Sequence, residues 1–207
     1  MSQDVKFVVK IVAEAIIKNE QYFSELDGVV GDGDFGNSLA RGFEKVLQEW
    51  DTMAQDMPGD FLKKVSAVIV REIGGVSGSI WGTAFLRAGM SLGTKTEITS
   101  SDVILLFRAA IEGIKKRGKS DLGDKTLLDA LVPAVDTLEK TFNEGKDSMA
   151  ALAAATVAAR EAAEATRAMV AKRGRASYTG ERSIGSLDAG AEAVSVLFAA
   201  VNKACEK

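Results

Sequence analysis

Three aspartates near the start of the chain, Asp27, Asp32 and Asp34, are the residues whose types and spacing most clearly indicate chemistry. Asp32 and Asp34 are two residues apart, so in extended backbone their side chains point the same way. Asp27 comes five residues before Asp32, at the end of a predicted helix, where the chain can fold back. Three converging carboxylates would repel one another strongly, and one or two divalent cations would relieve that repulsion.

Oxygen must supply the ligands of any metal ion, because the 207-residue chain contains no histidine and one cysteine, Cys205. This composition rules out a Ser-His-Asp triad, a Cys-His pair and a histidine-ligated zinc within the chain. It leaves magnesium, calcium or manganese. A calcium loop of the EF-hand type is disfavoured, because the twelfth residue counted from Asp32 is Phe43 rather than a glutamate.

Magnesium is an ion that these aspartates could hold. Each Mg²⁺ typically takes one or two protein carboxylates and completes its shell with phosphate oxygens and water. Three aspartates could therefore hold two ions and leave the outer faces for the phosphates of a nucleotide. A helix predicted to begin near Asn37 would direct its free N–H groups to the same place, which favours a phosphate. The alternative is a solvated Gly-Asp turn with helix caps.

Three familiar motifs occur in the wrong context. Residues 113–120 fit the P-loop pattern, but a P-loop follows a strand, and these residues end a predicted helix. Residues 31–36 fit the dinucleotide fingerprint without its strand–helix–strand context. Residues 34–36 match a motif of protein kinases, but those kinases also need a catalytic loop that contains a histidine. We therefore interpret 113–120 as a basic helix end.

Helices must position these residues, because apolar residues recur with a helical period almost throughout. We predict about eight amphipathic helices, no convincing strand and a single domain over residues 1–207. Asp4 is the predicted cap of the first helix, and Pro133 is expected to bend or restart its helix. The later helices are predicted at about 20–27, 37–50, 61–73, from 77, 101–116, 127–142, 148–172 and 190–206.

Glycine clusters fall at the junctions between these predicted helices, at 28–36, 74–78, 118–123, 174–180 and 185–190. In an up-and-down bundle, alternate junctions lie at the same end. We therefore expect several of these loops to meet at one rim.

The overall charge and composition limit the partners. A net charge of −3 and a sequence pI of about 5.2 give no support to nucleic-acid binding. Charges interrupt the first twenty residues, which resemble neither a signal peptide nor a membrane span. A single cysteine excludes an internal disulfide and favours a reducing compartment. A cytoplasmic location without membrane or nucleic-acid partners is expected.

Six motifs in a fixed order carry a family resemblance. They are Leu26-Asp27 with Gly31-Asp-Gly-Asp-Phe-Gly36, Gly74-Gly-Val-Ser-Gly78, Gly123-Asp-Lys-Thr126, Gly174-Arg-Ala-Ser-Tyr178, Glu181-Arg-Ser-Ile-Gly185 and Asp188-Ala-Gly190. The ordered set covers nearly the whole chain and resembles the L subunit of dihydroxyacetone kinase. The resemblance implies an all-α antiparallel barrel of eight amphipathic helices that binds ADP or ATP at one rim with two magnesium ions.

The resemblance also implies roles for individual residues. Asp27, Asp32 and Asp34 resemble the metal ligands, and Arg175 resembles a catalytic residue that offsets charge developing during phosphoryl transfer. The implied nucleotide-binding residues are Gly36, Asn37, Ser38, Val76, Ser77, Gly118, Leu127, Arg175, Asp188, Ala189 and Gly190. Phe35 departs from the family, where histidine or cysteine is common, and Ala189 departs where proline is frequent.

The resemblance implies a kinase subunit that acts only with a partner. In the family, a separate K subunit holds the short-chain ketose through a histidine, which suits the absence of histidine here. ADP could be a permanent cofactor recharged by a phosphotransferase-system protein, or ATP could exchange as a substrate. A kinase subunit for another small acceptor, such as erythrulose or a fatty acid, and a non-catalytic nucleotide-binding module that regulates a partner are the alternatives. A homodimer is also open.

Overall fold

Helices make up nearly all the regular structure in the computed structural model, which describes residues 5–53 and 56–206. The α-helices are α1 (Val5–Lys18), α2 (Glu20–Gly28), α3 (Phe35–Gln48), α4 (Trp50–Met53), α5 (Pro58–Glu72), α6 (Gly75–Leu92), α7 (Ser100–Gly118), α8 (Leu128–Asn143), α9 (Ser148–Ala165) and α10 (Ala189–Cys205). Two 3₁₀ helices, η1 (Thr166–Ala168) and η2 (Arg175–Ser183), lie between α9 and α10. No strand occurs in the described residues, and the predicted cap Asp4 lies outside them.

Eight of these helices form a closed ring. α1 packs against α3, α3 packs against α5, the helices α5 to α10 follow in chain order, and α10 returns to α1. Neighbours joined by short connections run antiparallel. Two close contacts show this for α5 and α6, because Gly78 lies against Ile73 and Gly59 against Gly93. The predicted antiparallel barrel of about eight amphipathic helices is confirmed.

Alternate junctions of this ring lie at the same end, which we call the rim. The rim collects the junctions 19–34, 73–74, 119–127 and 166–188. Contacts between distant parts of the chain connect them: Gly190 adjoins Leu127, and the Lys172 N–H donates to the Asp124 carbonyl at 3.0 Å. The glycine-rich loops therefore meet at one end, as predicted.

The P-loop-like segment 113–120 closes α7. A capping box starts this helix, in which the Thr99 N–H donates to the Asp102 carboxylate at 3.0 Å and the Asp102 N–H donates to Thr99 Oγ1 at 3.3 Å. At the other end, Lys119 takes a left-handed conformation with φ 49°, which stops the helix. Since a helix rather than a strand leads into 113–120, the interpretation of this segment as a helix end is confirmed.

The buried side chains form two clusters. One lies mainly among α1, α2, α3, α5 and α6, the other among α6, α7, α8, α9 and α10, and α6 and α10 contribute to both. In α9, fully buried alanines recur every four residues, at Ala151, Ala155, Ala159 and Ala163. Their small side chains allow α8 and α10 to pack closely on α9.

Several predicted helix boundaries differ from the structure: α5 begins at Pro58 instead of 61, α3 begins at Phe35 instead of 37, and the largest difference concerns α9. The helix expected over 148–172 ends at Ala165 and gives way to η1. Thr166 explains the change, since its hydroxyl donates to the Ala163 carbonyl at 2.6 Å and accepts the Asp188 N–H at 3.0 Å. Pro133 does not restart its helix, because α8 is continuous through it.

Candidate functional site

The aspartate loop, residues 27–34, connects the end of α2 to the start of α3. It folds back tightly, because the Gly31 N–H donates to the Asp27 carbonyl oxygen at 2.6 Å. A Cβ atom on Gly31 would lie 2.4 Å from Asp27 Oδ1, so a side chain at that position would displace the carboxylate. Gly33 has φ +75°, a conformation that favours glycine. The glycines thus keep all three aspartates in one short turn.

Two of the three predicted metal ligands, Asp32 and Asp34, have separate side-chain partners. Asp32 forms an ion pair with the Arg175 guanidinium. Asp34 is the residue before α3, and it accepts a hydrogen bond from Ser38 Oγ at 2.6 Å. In the part of the chain that the structure describes, no group of three or more acidic, histidine or cysteine side chains is arranged to hold a metal ion. The carboxylates are therefore adjacent without converging on one point, and the metal site stays a prediction.

The predicted phosphate contacts at the start of α3 pack against α2. The Asn37 N–H donates to Ser24 Oγ at 3.1 Å, and its side-chain amide donates to Glu20 Oε1 at 3.0 Å. A Cβ atom on Gly36 would lie 2.0 Å from the Glu20 carbonyl oxygen, so this position must be glycine for the two helices to approach. Ser38 is buried. These residues lie beside the aspartate loop, but the backbone N–H of Asn37 and one N–H of its side-chain amide are already engaged with α2.

Three further predicted site residues lie where α6 begins and α7 ends. Val76 and Ser77 are in the first turn of α6, and the Val76 side chain is exposed. Gly118 is the last residue of α7, and a Cβ atom on it would lie 3.1 Å from Ile80 Cδ1. The ring thus brings these positions to the same end as the aspartate loop.

The start of α10 packs against the start of α8. A Cβ atom on Gly190 would lie 3.3 Å from the Leu127 backbone nitrogen, so Gly190 permits this close approach. Asp188 and Ala189 precede it as the N-cap and first residue of α10. These four predicted site residues are therefore brought together by the structure.

Asp188 is a partly buried carboxyl group at the N-cap of α10. Its Oδ1 accepts the Ala191 N–H at 2.7 Å, and its own N–H donates to Thr166 Oγ1 at 3.0 Å. Burial raises the pKa of Asp188 to about 7, an effect that the Ala191 hydrogen bond opposes and the nearby Asp129 charge reinforces. The site therefore contains an acid that changes its charge close to neutral pH.

Arg175 begins η2 and joins two distant parts of the rim. Its guanidinium reaches Asp32, so the predicted catalytic residue lies against a predicted metal ligand. Both side chains are largely accessible to solvent, with 64% and 44% of their surfaces exposed. An exposed ion pair of this kind contributes about 0–1 kcal/mol to stability. Arg175 is therefore held near the aspartate loop but is free to exchange its partner.

The turn between α7 and α8 contains polar residues of the motif Gly123-Asp-Lys-Thr126, for which the sequence alone predicted no individual roles. Asp129 accepts N–H groups from Gly123 at 2.5 Å and Thr126 at 2.7 Å. Lys125 is buried in the same turn, and its ammonium group donates to backbone carbonyls of the segment 166–188. The motif Gly123-Asp-Lys-Thr126 was a signal for this turn, but a single sequence does not show that its lysine is buried.

Large apolar side chains are exposed on the rim. Tyr178 in η2 is 87% exposed. The others on the rim or directly beside it are Tyr22, Val29, Val76, Leu122, Val170 and Ile184. They come from four different junctions and surround the candidate site. Exposed apolar groups at one end of a domain are typical of a surface that contacts another protein.

No helix in the described ranges has the length and apolar character required to cross a bilayer.

The sequence matches the DAK2 domain over residues 29–203. The ADP-binding subunit DhaL of the PEP-dependent dihydroxyacetone kinase of Escherichia coli is 38% identical over 174 residues, which cover 84% of this chain and 83% of that protein. The ADP-binding subunit DhaL of the PTS-dependent dihydroxyacetone kinase of Lactococcus lactis is 35% identical, with 89% and 88% covered. Human triokinase/FMN cyclase is 31% identical over 97% of this chain and 35% of its own length.

Solved structures show the same fold. The native dihydroxyacetone kinase of C. freundii matches with a TM-score of 0.74 and 25% identity, over 97% of this chain and 34% of that one. The structure of that kinase with AMP-PNP and Mg²⁺ matches with a TM-score of 0.72 and 27% identity, over 97% and 33%. The chain therefore spans about a third of the C. freundii kinase chain.

Proposed function

The chain belongs to the DAK2 domain family, and from this premise we propose that it is the nucleotide-binding, phosphoryl-transferring subunit of a dihydroxyacetone-type kinase. The observation that carries the proposal is the ion pair between Arg175 and Asp32, which joins the segment before α10 to the aspartate loop. Phosphoryl transfer needs cations around the phosphates and anions that hold metal ions. Similarity to the E. coli and L. lactis ADP-binding subunits supports the assignment.

Two magnesium ions fit the donor set of the aspartate loop. Asp27, Asp32 and Asp34 would hold them, since carboxylate oxygens are the ligands that magnesium prefers. Because each ion needs only one or two protein carboxylates, three adjacent aspartates need not converge on one point. When bound, the ions would neutralise charge on the nucleotide phosphates. The C. freundii structure with AMP-PNP and Mg²⁺ supports this assignment.

ADP or ATP would lie across the rim. Arg175 can leave Asp32 at little cost and contact a phosphate, where a guanidinium offsets charge that develops during transfer. To contact a phosphate with the same N–H groups, Asn37 must give up its hydrogen bonds with α2. The other proposed nucleotide contacts are Gly36, Ser38, Val76, Ser77, Gly118, Leu127, Asp188, Ala189 and Gly190. They come from four junctions at one end of the ring.

A partner subunit would supply the acceptor. The chain contains no histidine, so the ketose would be held by a separate K subunit docked on the exposed apolar groups of the rim. The names of the 38% and 35% identical relatives, which specify ADP and PEP or PTS dependence, favour bound ADP recharged by a phosphotransferase-system protein. The proposal retains the cytoplasmic location expected from the sequence.

Calorimetry of Mg-ADP binding tests the proposal. Asp32→Asn should weaken magnesium and nucleotide binding together, by about tenfold or more, because it removes a carboxylate from the proposed metal site. Far-UV circular dichroism should stay unchanged, since Asp32 is exposed. Asp51→Asn is the matched control, because Asp51 is also exposed but lies in α4, at the end of the ring opposite the rim.

Unchanged Mg-ADP affinity in Asp32→Asn would overturn the metal assignment. Transfer of phosphate to dihydroxyacetone, measured with an added K subunit and a recharging system, tests the activity itself. Nucleotide binding without any transfer would favour the alternative of a regulatory nucleotide-binding module.

A further inference from the structure

Lys125 is a buried cation for which the proposed function has no use. Its side chain is 2% exposed, although lysine is a residue type that is almost never fully buried without a partner. It lies in the turn between α7 and α8, in a left-handed backbone conformation with φ 59°. This conformation is uncommon for residues other than glycine, and it marks a position that its surroundings hold firmly.

Neutral oxygens surround the Lys125 ammonium group. It donates to the backbone carbonyls of Met169 at 3.2 Å and Ser186 at 2.8 Å, and to that of Ser183 over a shorter distance. Ser186 Oγ lies 3.4 Å away. An ammonium group has three N–H donors, and here they meet three carbonyls from different points of one segment. The group thus resembles a small cation inside a cage of carbonyl oxygens.

All three carbonyls belong to the segment that carries Arg175. Other bonds also fasten this segment, residues 169–186: the Lys172 N–H donates to the Asp124 carbonyl at 3.0 Å, the Asp124 carboxylate pairs with Lys172 and Arg173, and the Arg167 guanidinium donates to the Gly185 carbonyl at 2.9 Å. The Ala171 N–H donates to Ser183 Oγ at 2.9 Å, and the Gly185 N–H donates to the Arg167 carbonyl at 2.8 Å. Lys125 holds both flanks of η2 at once, because Met169 lies before this 3₁₀ helix, Ser183 is its last residue and Ser186 lies after it.

The turn that supplies Lys125 is itself rigid. The Asp129 carboxylate accepts the N–H groups of Gly123 and Thr126, on either side of the lysine. Asp129 is buried in the first turn of α8. Lys125 therefore connects the segment 169–186 to a turn that is itself bonded to α8, a helix of the ring.

Burial and two nearby charges act on the Lys125 ammonium group. Burial lowers the pKa of Lys125, the Asp188 charge opposes that effect, and the Arg167 charge reinforces it. If the ammonium group were removed, the Ser183 carbonyl would keep the Ser186 hydroxyl as a donor at 2.8 Å, but the carbonyls of Met169 and Ser186 would lose the ammonium donor. An unsatisfied buried acceptor carries a desolvation cost. The segment would then open to hydrate these groups.

We propose that Lys125 is the positioning residue that holds the segment 169–186 closed and thereby keeps Arg175 over the aspartate loop. Its ammonium group occupies the centre of the carbonyl cage, where a bound monovalent cation could otherwise lie. The part that concerns Arg175 in nucleotide binding rests on the proposed function, whereas the closure of the segment does not.

Limited proteolysis with trypsin, without nucleotide, tests the closure. In Lys125→Met, cleavage after Arg173, Arg175 and Arg182 should accelerate about tenfold or more, because cleavage follows the population of the open segment. The helical circular dichroism should remain that of the wild type. Lys140→Met is the control, since Lys140 is an exposed lysine at the far end of α8. Cleavage at the wild-type rate in a folded Lys125→Met would overturn the proposal.

Chemical rescue separates positioning from a general loss of packing. Lys125→Ala removes three carbons and the ammonium group, which propylammonium replaces atom for atom. Millimolar propylammonium should restore slow hydrogen exchange of the Ala171, Lys172 and Gly185 amides in Lys125→Ala, and tetramethylammonium at the same ionic strength should not, because it has no N–H donors. Hydrogen exchange is the readout here because primary alkylammonium ions also bind the lysine pocket of trypsin. Equal effects of the two cations would contradict the carbonyl cage.

Mg-ADP affinity provides the readout that links Lys125 to Arg175. Lys125→Met and Arg175→Gln should each weaken binding, and the double variant should be little weaker than Arg175→Gln alone, because the two act through one group. Additive losses would show that Lys125 does not act through Arg175. If the wild type itself binds no Mg-ADP, the proposed function fails, while the proteolysis result still decides the closure.

Hydrogen exchange on the unmodified protein keeps the proposal testable if both Lys125 variants fail to fold. The N–H groups of Ala171, Lys172 and Gly185 should be protected together, as one cooperative unit, because the cage closes both flanks of η2. Exchange of these three amides at the rates of an unstructured chain would overturn it.

Discussion

At the scale of single residues, the charge of Asp188 links the site to pH. Its carboxyl group caps α10 and has a pKa raised to about 7, chiefly by burial. In the unfolded chain, an aspartate releases its proton near pH 4. Between these two values, the native state holds a proton that the unfolded state has lost. Stability therefore decreases as the pH rises from about 4 to about 7, and the contribution is constant above that range.

Asp188→Asn should remove this pH dependence, because asparagine keeps a side-chain acceptor for the N-cap and carries no charge. We expect the variant to gain free energy of unfolding relative to the wild type as the pH rises to about 7. A tenfold difference in proton affinity corresponds to about 1.4 kcal/mol. Urea denaturation between about pH 5 and pH 8 measures the difference.

Asp147→Asn is the control for the change of cap residue itself, since Asp147 caps α9 in the same way at an exposed position. If the free energies of unfolding of Asp188→Asn and the wild type differed by the same amount at every pH, Asp188 would not be a buried acid.

At the scale of helices, glycine positions set how closely elements approach at the rim. Gly78 and Gly74 belong to the same junction between α5 and α6, but a Cβ atom would meet different surroundings. On Gly78 it would lie 1.8 Å from the Ile73 carbonyl oxygen, a backbone atom that cannot move aside. On Gly74 it would meet nothing within 4 Å, and the backbone there has φ −72°, which alanine adopts readily.

Gly78→Ala should therefore destabilise the protein by about 1–3 kcal/mol or more, as overpacked sites do. Gly74→Ala should cost about 1 kcal/mol or less, the effect of alanine at an N-cap. Thermal unfolding followed by circular dichroism compares the two variants. Equal losses would contradict the close packing of α5 and α6 at this point.

At the scale of the whole molecule, the ring separates two ends with different character. The rim carries the aspartate loop, η2 and the start of α10, whereas the junctions 93–99 and 144–147 lie at the opposite end. Mg-ADP should therefore slow hydrogen exchange at the rim segments 26–38, 119–128 and 169–188 and leave the opposite junctions unchanged.

Mg-ADP should also raise the melting temperature, because a ligand at about a hundredfold above its Kd stabilises the native state by about 2.7 kcal/mol. A chelator should abolish both effects if the nucleotide is held through metal ions. Protection spread evenly over both ends, or unaffected by the chelator, would contradict a metal-dependent site at the rim.

Much of the architecture could be predicted from the sequence, because it depends on preferences that act within one or two helical turns. The period of apolar residues predicts the helices, and the predicted starts at 101, 148 and 190 lie within one residue of the observed starts of α7, α9 and α10. Glycine clusters predict the junctions. The ordered motifs indicate the family, since residues such as Asp32 and Arg175 occur at its characteristic separations.

The tertiary structure alone decided which distant groups meet. The pairing of Arg175 with Asp32, the end of α9 at Thr166 and the burial of Lys125 all depend on atoms far along the chain. A lysine is exposed or buried according to the carbonyls that surround it, and no local preference encodes them. The sequence thus determined the helices and the candidate residues, whereas ring closure determined their partners, because only packing brings separate junctions to one rim.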